Sequence, residues 1–220
     1  RMPIFGLGCV AGAAGIARAA DYVKAYPEQV ALLVSVELCS LTLQRKDLSI
    51  PNLISSGLFG DGAAAVVVVG SERPGDGPRI LATRSIFYPD TEQVMGWEVS
   101  EKGFQVVLSA EVPEMVRGHL RQDVDRFLAD HGHRRDEITS WVAHPGGPRV
   151  LEAMAETLEL TDGELDVTWR SLAEVGNLSS TSVLLVLEET LREHRPEPGS
   201  LGMLLAMGPA FCSELVLLEW

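Results

Sequence analysis

Phe5-Gly6-Leu7-Gly8-Cys9-Val10-Ala11-Gly12-Ala13-Ala14-Gly15 sets a cysteine between a short apolar, glycine-spaced run and an alanine-rich helical stretch over residues 11–26. A thiol at that junction lies near helix N–H groups, which favour the thiolate. The small residues around it let a backbone or an acyl chain come close. Outward from this helix, residues 30–36 form a continuous apolar run of strand length, as expected for a strand buried on both faces. Much farther on lie Ala143-His144-Pro145-Gly146-Gly147-Pro148 and Val175-Gly176-Asn177-Leu178-Ser179-Ser180. Cys, His and Asn in that order point to acyl-transfer chemistry at a nucleophilic cysteine.

The rest of the chain alternates strand and helix signals. Residues 44–49 are polar and loop-like, 52–58 fit a short helix, Gly60-Asp61-Gly62 a turn, and 63–69 a second fully apolar strand. Pro74, Gly75, Asp76, Gly77 and Pro78 make the best linker in the chain. A boundary is expected there, dividing a first half-domain (1–78) from a second (79–220). Beyond it the patterning predicts a strand over 80–88, a hairpin around 98–99 and 104–108, and a long amphipathic helix over 112–130. A short strand at 141–143 delivers His144, and a helix follows over 148–158. Residues 172–176 lead to Asn177, and a helix follows over 181–192. Two closing strands, 202–206 and 214–218, flank the loop Met207-Gly208-Pro209-Ala210-Phe211. Alternation of this kind argues for an α/β fold.

Composition narrows the function classes. The chain has 220 residues, of which 46% are hydrophobic and 22% charged, enough for one large core or two small ones. A formal net charge of −13 repels phosphate backbones, which argues against a nucleic-acid partner. The same charge means that any polyanionic substrate, a CoA thioester for example, needs a locally basic entrance. Three cysteines, Cys9, Cys39 and Cys212, form neither a disulfide framework nor a zinc-ligand spacing, and they suit a reducing cytoplasm. No run reaches the length of a membrane span, and no signal peptide is visible. The chain starts at Arg1 with its nucleophile signal within the first ten residues, so a preceding segment is expected.

Each chemical signal has an ordinary alternative. Cys9 alone reads equally as a small buried hydrophobe. His144 could be a hydrogen-bonded core residue, but the Pro-Gly-Gly-Pro turn after it fixes the ring at a strand end with free backbone approach. Asn177 could be a helix cap; its functional reading is an amide that donates to an oxyanion. His119, His131, His133 and His194 lie in charged or loop surroundings and are expected to be solvated.

Taken together, Gly8-Cys9-Val10-Ala11-Gly12, Val36-Glu37-Leu38-Cys39-Ser40, Leu58-Phe59-Gly60-Asp61-Gly62-Ala63-Ala64-Ala65, Ala143-His144-Pro145-Gly146-Gly147-Pro148 and Gly176-Asn177-Leu178-Ser179-Ser180 resemble the type III polyketide synthases. This is the chalcone-synthase-like family, and the resemblance is to its bacterial branch. It covers essentially the whole chain but lacks the family's N-terminal part, which carries basic residues for CoA and a loop across the dimer interface. The resemblance implies a thiolase-like α/β fold layered αβαβα, a homodimer and no cofactor. Its substrates would be malonyl-CoA and a starter acyl-CoA. Cys9 would carry the starter and the growing chain. His144 would pair with the Cys9 thiolate, and His144 and Asn177 together would stabilise the enolate formed as malonyl-CoA loses CO₂.

The resemblance also nominates residues around the cavity. Phe59 matches a gatekeeper phenylalanine between CoA tunnel and cavity. Val106 stands where plant members have a second one, and Trp97 near a position that is glycine in chalcone synthases. Gly208 and Pro209 match the loop at the cavity floor, with Gly147 in the turn after His144. Arg149 could meet a CoA phosphate or be an exposed helix arginine; Cys39 could border the cavity or only pack. Cys212 reads as structural. Rival readings are an initiating ketosynthase of the same fold fed by an acyl carrier protein, a cysteine protease, which lacks its flanking motif here, and a non-catalytic partner subunit. The starter, the number of extensions and the cyclisation mode stay open.

Overall fold

Two helices, α1 (Ala11–Ala25) and α6 (Ser180–Glu193), form the central layer, and everything else is arranged about them in the computed structural model, which describes residues 1–101 and 103–220. On one side lies a four-stranded sheet of order β3 (Arg79–Phe87), β8 (Cys212–Glu219), β7 (Leu201–Gly208) and β6 (Ile138–Ala143). β7 runs parallel to β6 and antiparallel to β8, which pairs antiparallel with β3. On the other side lies a two-stranded antiparallel ribbon of β1 (Val30–Leu38) and β2 (Asp61–Val69). The outer face of the four-stranded sheet is covered by α3 (Val112–Ala129) and α4 (Pro148–Leu158).

The alternation of side chains along β7 and β8 explains the stacking. Met203, Leu205, Leu215 and Leu217 join a core with Leu120, Phe127, Leu151 and Met154 of the outer helices. Their neighbours Leu204, Ala206, Val216 and Leu218 join a second core with Ile16, Val183, Val186 and Leu187 of the central helices. Strands buried on both faces read as unbroken apolar runs for this reason. The small residues of α1 let it lie against its neighbours. A side chain on Gly12 would collide with the Ser180 carbonyl oxygen, and one on Gly15 with Leu33 of β1.

The remaining elements connect these layers. α2 (Ile50–Leu58) precedes β2, and a hairpin of β4 (Met95–Ser100) and β5 (Gly103–Leu108) precedes α3. α5 (Asp166–Val175) leads to Asn177. It is a full helix where the sequence suggested only a lead-in, since its apolar positions are interrupted by Thr168, Arg170 and Ser171.

One expectation needs correction. β1 is covered on one face only. Leu33 and the opposing Ala64 and Val66 of β2 pack on the central core, but Leu32 is 64% exposed, Val34 59%, Val36 61% and Val67 63%. The apolar run is real, yet among the described residues no layer lies on its outer side. The fold therefore displays four layers in the order αβαβ, with an apolar sheet face where a fifth would lie.

Candidate active site

Cys9 occupies a short 3-10 turn (Gly8–Val10) that runs directly into α1, and it is buried. Glycines allow the β7–β8 loop to back this turn. Gly8 has φ +51°, and a side chain on it would come within 2.7 Å of the Pro209 ring. A side chain on Gly208 would lie 3.0 Å from the Val10 nitrogen. Cys212 closes the same loop, its thiol donating to the Pro209 carbonyl at 3.4 Å. Thus Gly208 and Pro209 stand directly behind the Cys9 turn, and Cys212 braces the same loop.

The Cys9 thiol points at Asn177, with Sγ 4.0 Å from Oδ1. Burial pushes its pKa up to about 12; hydrogen bonds from Ser179 and Asn177 oppose the rise, and the Cys39 and Glu37 charges add to it. The start of α1 does not by itself make Cys9 a thiolate, because desolvation outweighs it.

His144 ends β6, and its N–H donates to the Leu205 carbonyl of β7 at 2.9 Å. It is buried, and neither ring nitrogen has a hydrogen-bond partner among the described residues. Burial lowers its pKa to about 4, so the ring is neutral at pH 7. The turn after it is tight, with Gly146 N–H donating back to the His144 carbonyl at 2.9 Å. Gly147, at φ +149°, opens α4 in a conformation that suits glycine.

Asn177 ties these parts together. Its Nδ2 donates to the Gly146 carbonyl at 3.2 Å, and its Oδ1 accepts from Ser179 N–H at 2.8 Å. Its backbone forms a parallel bridge with Phe59, in which Asn177 N–H donates to Leu58 O at 2.8 Å and Gly60 N–H donates to Asn177 O at 3.0 Å. Gly176 makes the approach possible, since a side chain there would press on the Leu58 carbonyl at 2.7 Å. One amide thus links the Cys9 turn, the turn after His144 and the Phe59 corner. One of its two Nδ2 hydrogens serves Gly146.

The other nominated residues divide. Cys39, half-buried at the end of β1, interacts electrostatically with Cys9, and burial pushes its own thiol up to about 11. Trp97 and Val106 face each other across the β4–β5 hairpin, with Trp97 edge-on to Phe104 at 6.0 Å. That hairpin is joined to the Gly208–Pro209 loop by Ala210 N–H donating to Met95 O at 2.8 Å. Arg149 is exposed on the first turn of α4, without an ion-pair partner among the described residues.

Sequence reasoning missed Ser179. It has φ +54°, rare for a residue with a side chain, and its side chain opposes the rise of the Cys9 pKa. Its position in the Asn-Leu-Ser-Ser run was the only signal. A cleft of about 650 Å³ bordered by Asp125, His133, Arg135 and Trp141 lies elsewhere, between α3, β6 and α4, and none of the nominated residues lines it.

Comparison with known proteins now adds to this geometry. Sequence models of the N-terminal and C-terminal domains of chalcone and stilbene synthases match residues 1–73 and 79–219. The chain belongs to the chalcone and stilbene synthase family. It is 57% identical to a 1,3,6,8-tetrahydroxynaphthalene synthase of Streptomyces peucetius subsp. caesius, over all of this chain and 59% of that one. It is 39% identical to a Bacillus subtilis protein described as a putative chalcone synthase, over all of this chain and 62% of that one. The solved structure of 1,3,6,8-tetrahydroxynaphthalene synthase from Streptomyces coelicolor A3(2), a bacterial type III polyketide synthase, superposes with a TM-score of 0.95 at 37% identity, covering all of this chain and 62% of that chain. This chain therefore spans about three-fifths of the length of these relatives, and its thiolase-like α/β fold is the one they share.

Proposed function

We propose that this protein is an acyltransferase of the type III polyketide synthase kind, which loads a starter acyl group from CoA onto Cys9 and extends it with malonyl units. The observation that carries this reading is the convergence on Asn177, whose one side chain meets the Cys9 thiol and the turn that follows His144. Relatives that make tetrahydroxynaphthalene support a CoA-dependent synthase over an initiating ketosynthase.

Cys9 and His144 both start neutral. As a thioester carbonyl approaches, the thiol proton passes to His144 and sulfur attacks the carbonyl carbon. The C–S bond to CoA breaks, and the CoA sulfur recovers the proton. Malonyl-CoA then loses CO₂, and the electron pair of the broken C–C bond moves onto its thioester oxygen. Asn177 Nδ2 and His144 donate to that oxygen, which they stabilise more as an enolate than as a carbonyl. The enolate carbon attacks the Cys9 thioester and expels the thiolate; the extended chain, now a CoA thioester, returns when that thiolate attacks its carbonyl and CoA thiolate leaves. No cofactor enters these steps.

In this reading Phe59, Trp97 and Val106 border the passage and cavity, Gly147, Gly208 and Pro209 supply close backbone walls, and Cys39 borders the thiol. Arg149 meets a CoA phosphate. The protein works in the cytoplasm as a homodimer, with residues 1–78 and 79–220 as its two thiolase-like portions. The test is CO₂ release from malonyl-CoA. His144→Ala and Asn177→Ala should each slow it by about 10² to 10³-fold, the usual cost of one oxyanion donor. Unchanged release in both variants would defeat the reading.

A further inference from the structure

We propose that Glu37 is a positioning residue of this site: its carboxylate, carried on β1, clamps the first residue of α6 and thereby holds the Asn177–Ser179 loop against Cys9. The inference rests on the proposed function for its catalytic consequence but on geometry for the clamp itself.

Residues 31, 33, 35 and 37 share the covered face of β1, and on that face Ser35 and Glu37 interrupt an otherwise apolar row. Both reach the same residue. Glu37 Oε1 accepts from Ser180 Oγ at 2.5 Å and from Ser180 N–H at 3.3 Å. Ser35 Oγ lies 2.6 Å from Ser180 Oγ. Ser35 and Ser180 are buried, so these bonds are shielded from competing water.

The physical need for the clamp is visible in the helix start. The first N–H groups of a helix have no partner within the helix. Ser179 stands at the cap position of α6, yet its side chain makes no capping bond, and its φ of +54° costs free energy. Its side chain instead lowers the Cys9 pKa, opposing the effect of burial. A carboxylate from another element therefore takes the capping role, where a negative charge also suits the positive end of the helix. Behind it, Leu178 N–H donates to Ser182 Oγ at 2.7 Å and Thr181 Oγ1 donates to Leu178 O at 2.7 Å, so fixing Ser180 fixes the loop. Since Ser179 N–H donates to Asn177 Oδ1, the clamp extends to the amide that meets Cys9 and Gly146.

The arrangement separates shape from charge. Glu37→Gln keeps an oxygen acceptor for Ser180, whereas Glu37→Ala does not. In hydrogen exchange, Glu37→Ala should raise exchange of the amides of residues 178–182 by about tenfold or more, and Glu37→Gln should leave them near the parent value. In malonyl-CoA decarboxylation, Glu37→Ala should lower kcat by about 10- to 100-fold with KM little changed, while Glu37→Gln retains most of the rate. Ser180→Ala, a milder change, should fall between the two and serves in place of Glu37→Ala if that variant does not fold. Unchanged exchange in Glu37→Ala or Ser180→Ala would overturn the clamp. So would equal loss in Glu37→Gln and Glu37→Ala, because charge rather than an acceptor would then be what matters. If the unaltered protein releases no CO₂, the proposed function fails, and the clamp is decided by the exchange of residues 178–182 alone.

Discussion

The β3-β8-β7-β6 sheet is covered on both faces, by α3 and α4 on one side and by α1 and α6 on the other; the β1–β2 ribbon is covered on one face alone. The difference shows where this chain's stability and its chemistry reside. Cys9, His144 and Asn177 lie on the enclosed side, and each is buried. There burial keeps thiol and imidazole neutral and strengthens the hydrogen bonds around them. The outer face of β1 and β2 displays exposed apolar side chains, Leu32, Val34, Val36 and Val67 among them.

Substitutions can break this contrast if it is wrong. Leu217→Ala, in the doubly covered sheet, should cost about 2 to 5 kcal/mol in urea denaturation, whereas Leu32→Ala on the bare face should stay within about 0.5 kcal/mol. Similar losses at both positions would mean that the outer face is covered after all. The next largest effect is a pH dependence. His144 is held neutral down to about 4 against an ordinary value of 6.5. Between those values the unfolded chain binds a proton that the folded one refuses. Stability conferred by the buried neutral ring is therefore complete above pH 6.5 and is lost as pH falls toward 4, by up to about 3 kcal/mol. Denaturation across pH 4 to 7 should show this slope, and His144→Gln should flatten it.

Smaller effects sharpen the account of how the layers meet. Gly12→Ala should cost about 1 to 3 kcal/mol, since the new methyl group pushes α1 from the Ser180 carbonyl. Thermal melting would check this, and a neutral result would mean that α1 and α6 are less closely packed than they stand here. Ala210 has φ +56° in the β7–β8 loop, so Ala210→Gly should be stabilising or neutral, within about 1 kcal/mol.

Much of this was legible in the sequence, for identifiable reasons. β7 and β8 are apolar without interruption because both faces are buried, and α6 ends where Pro196 follows its charged last turn. Cys9, His144 and Asn177 stood out in the sequence because each is flanked by glycine or proline, Gly8, Pro145 and Gly176, and Gly8 and Gly176 serve close approaches. What escaped depends on contacts between distant elements. An apolar run reports that a strand suits burial, not whether this chain supplies a cover, so the bare face of β1 was unforeseen. Ser179 escaped because what sets it apart is its backbone angle, φ +54°, which residue type does not report. Glu37 escaped because a single acid in a strand is unremarkable until Ser180 is brought to it from 143 residues away.

Intact-protein mass spectrometry after exposure to a panel of acyl-CoAs and malonyl-CoA tests the central claim most directly, with Cys9→Ala measured beside the unaltered protein. The account predicts a mass gain of one acyl group that disappears in Cys9→Ala and, with malonyl-CoA present, free aromatic or pyrone products in solution. No adduct from any CoA ester, or an adduct that persists in Cys9→Ala, would contradict it.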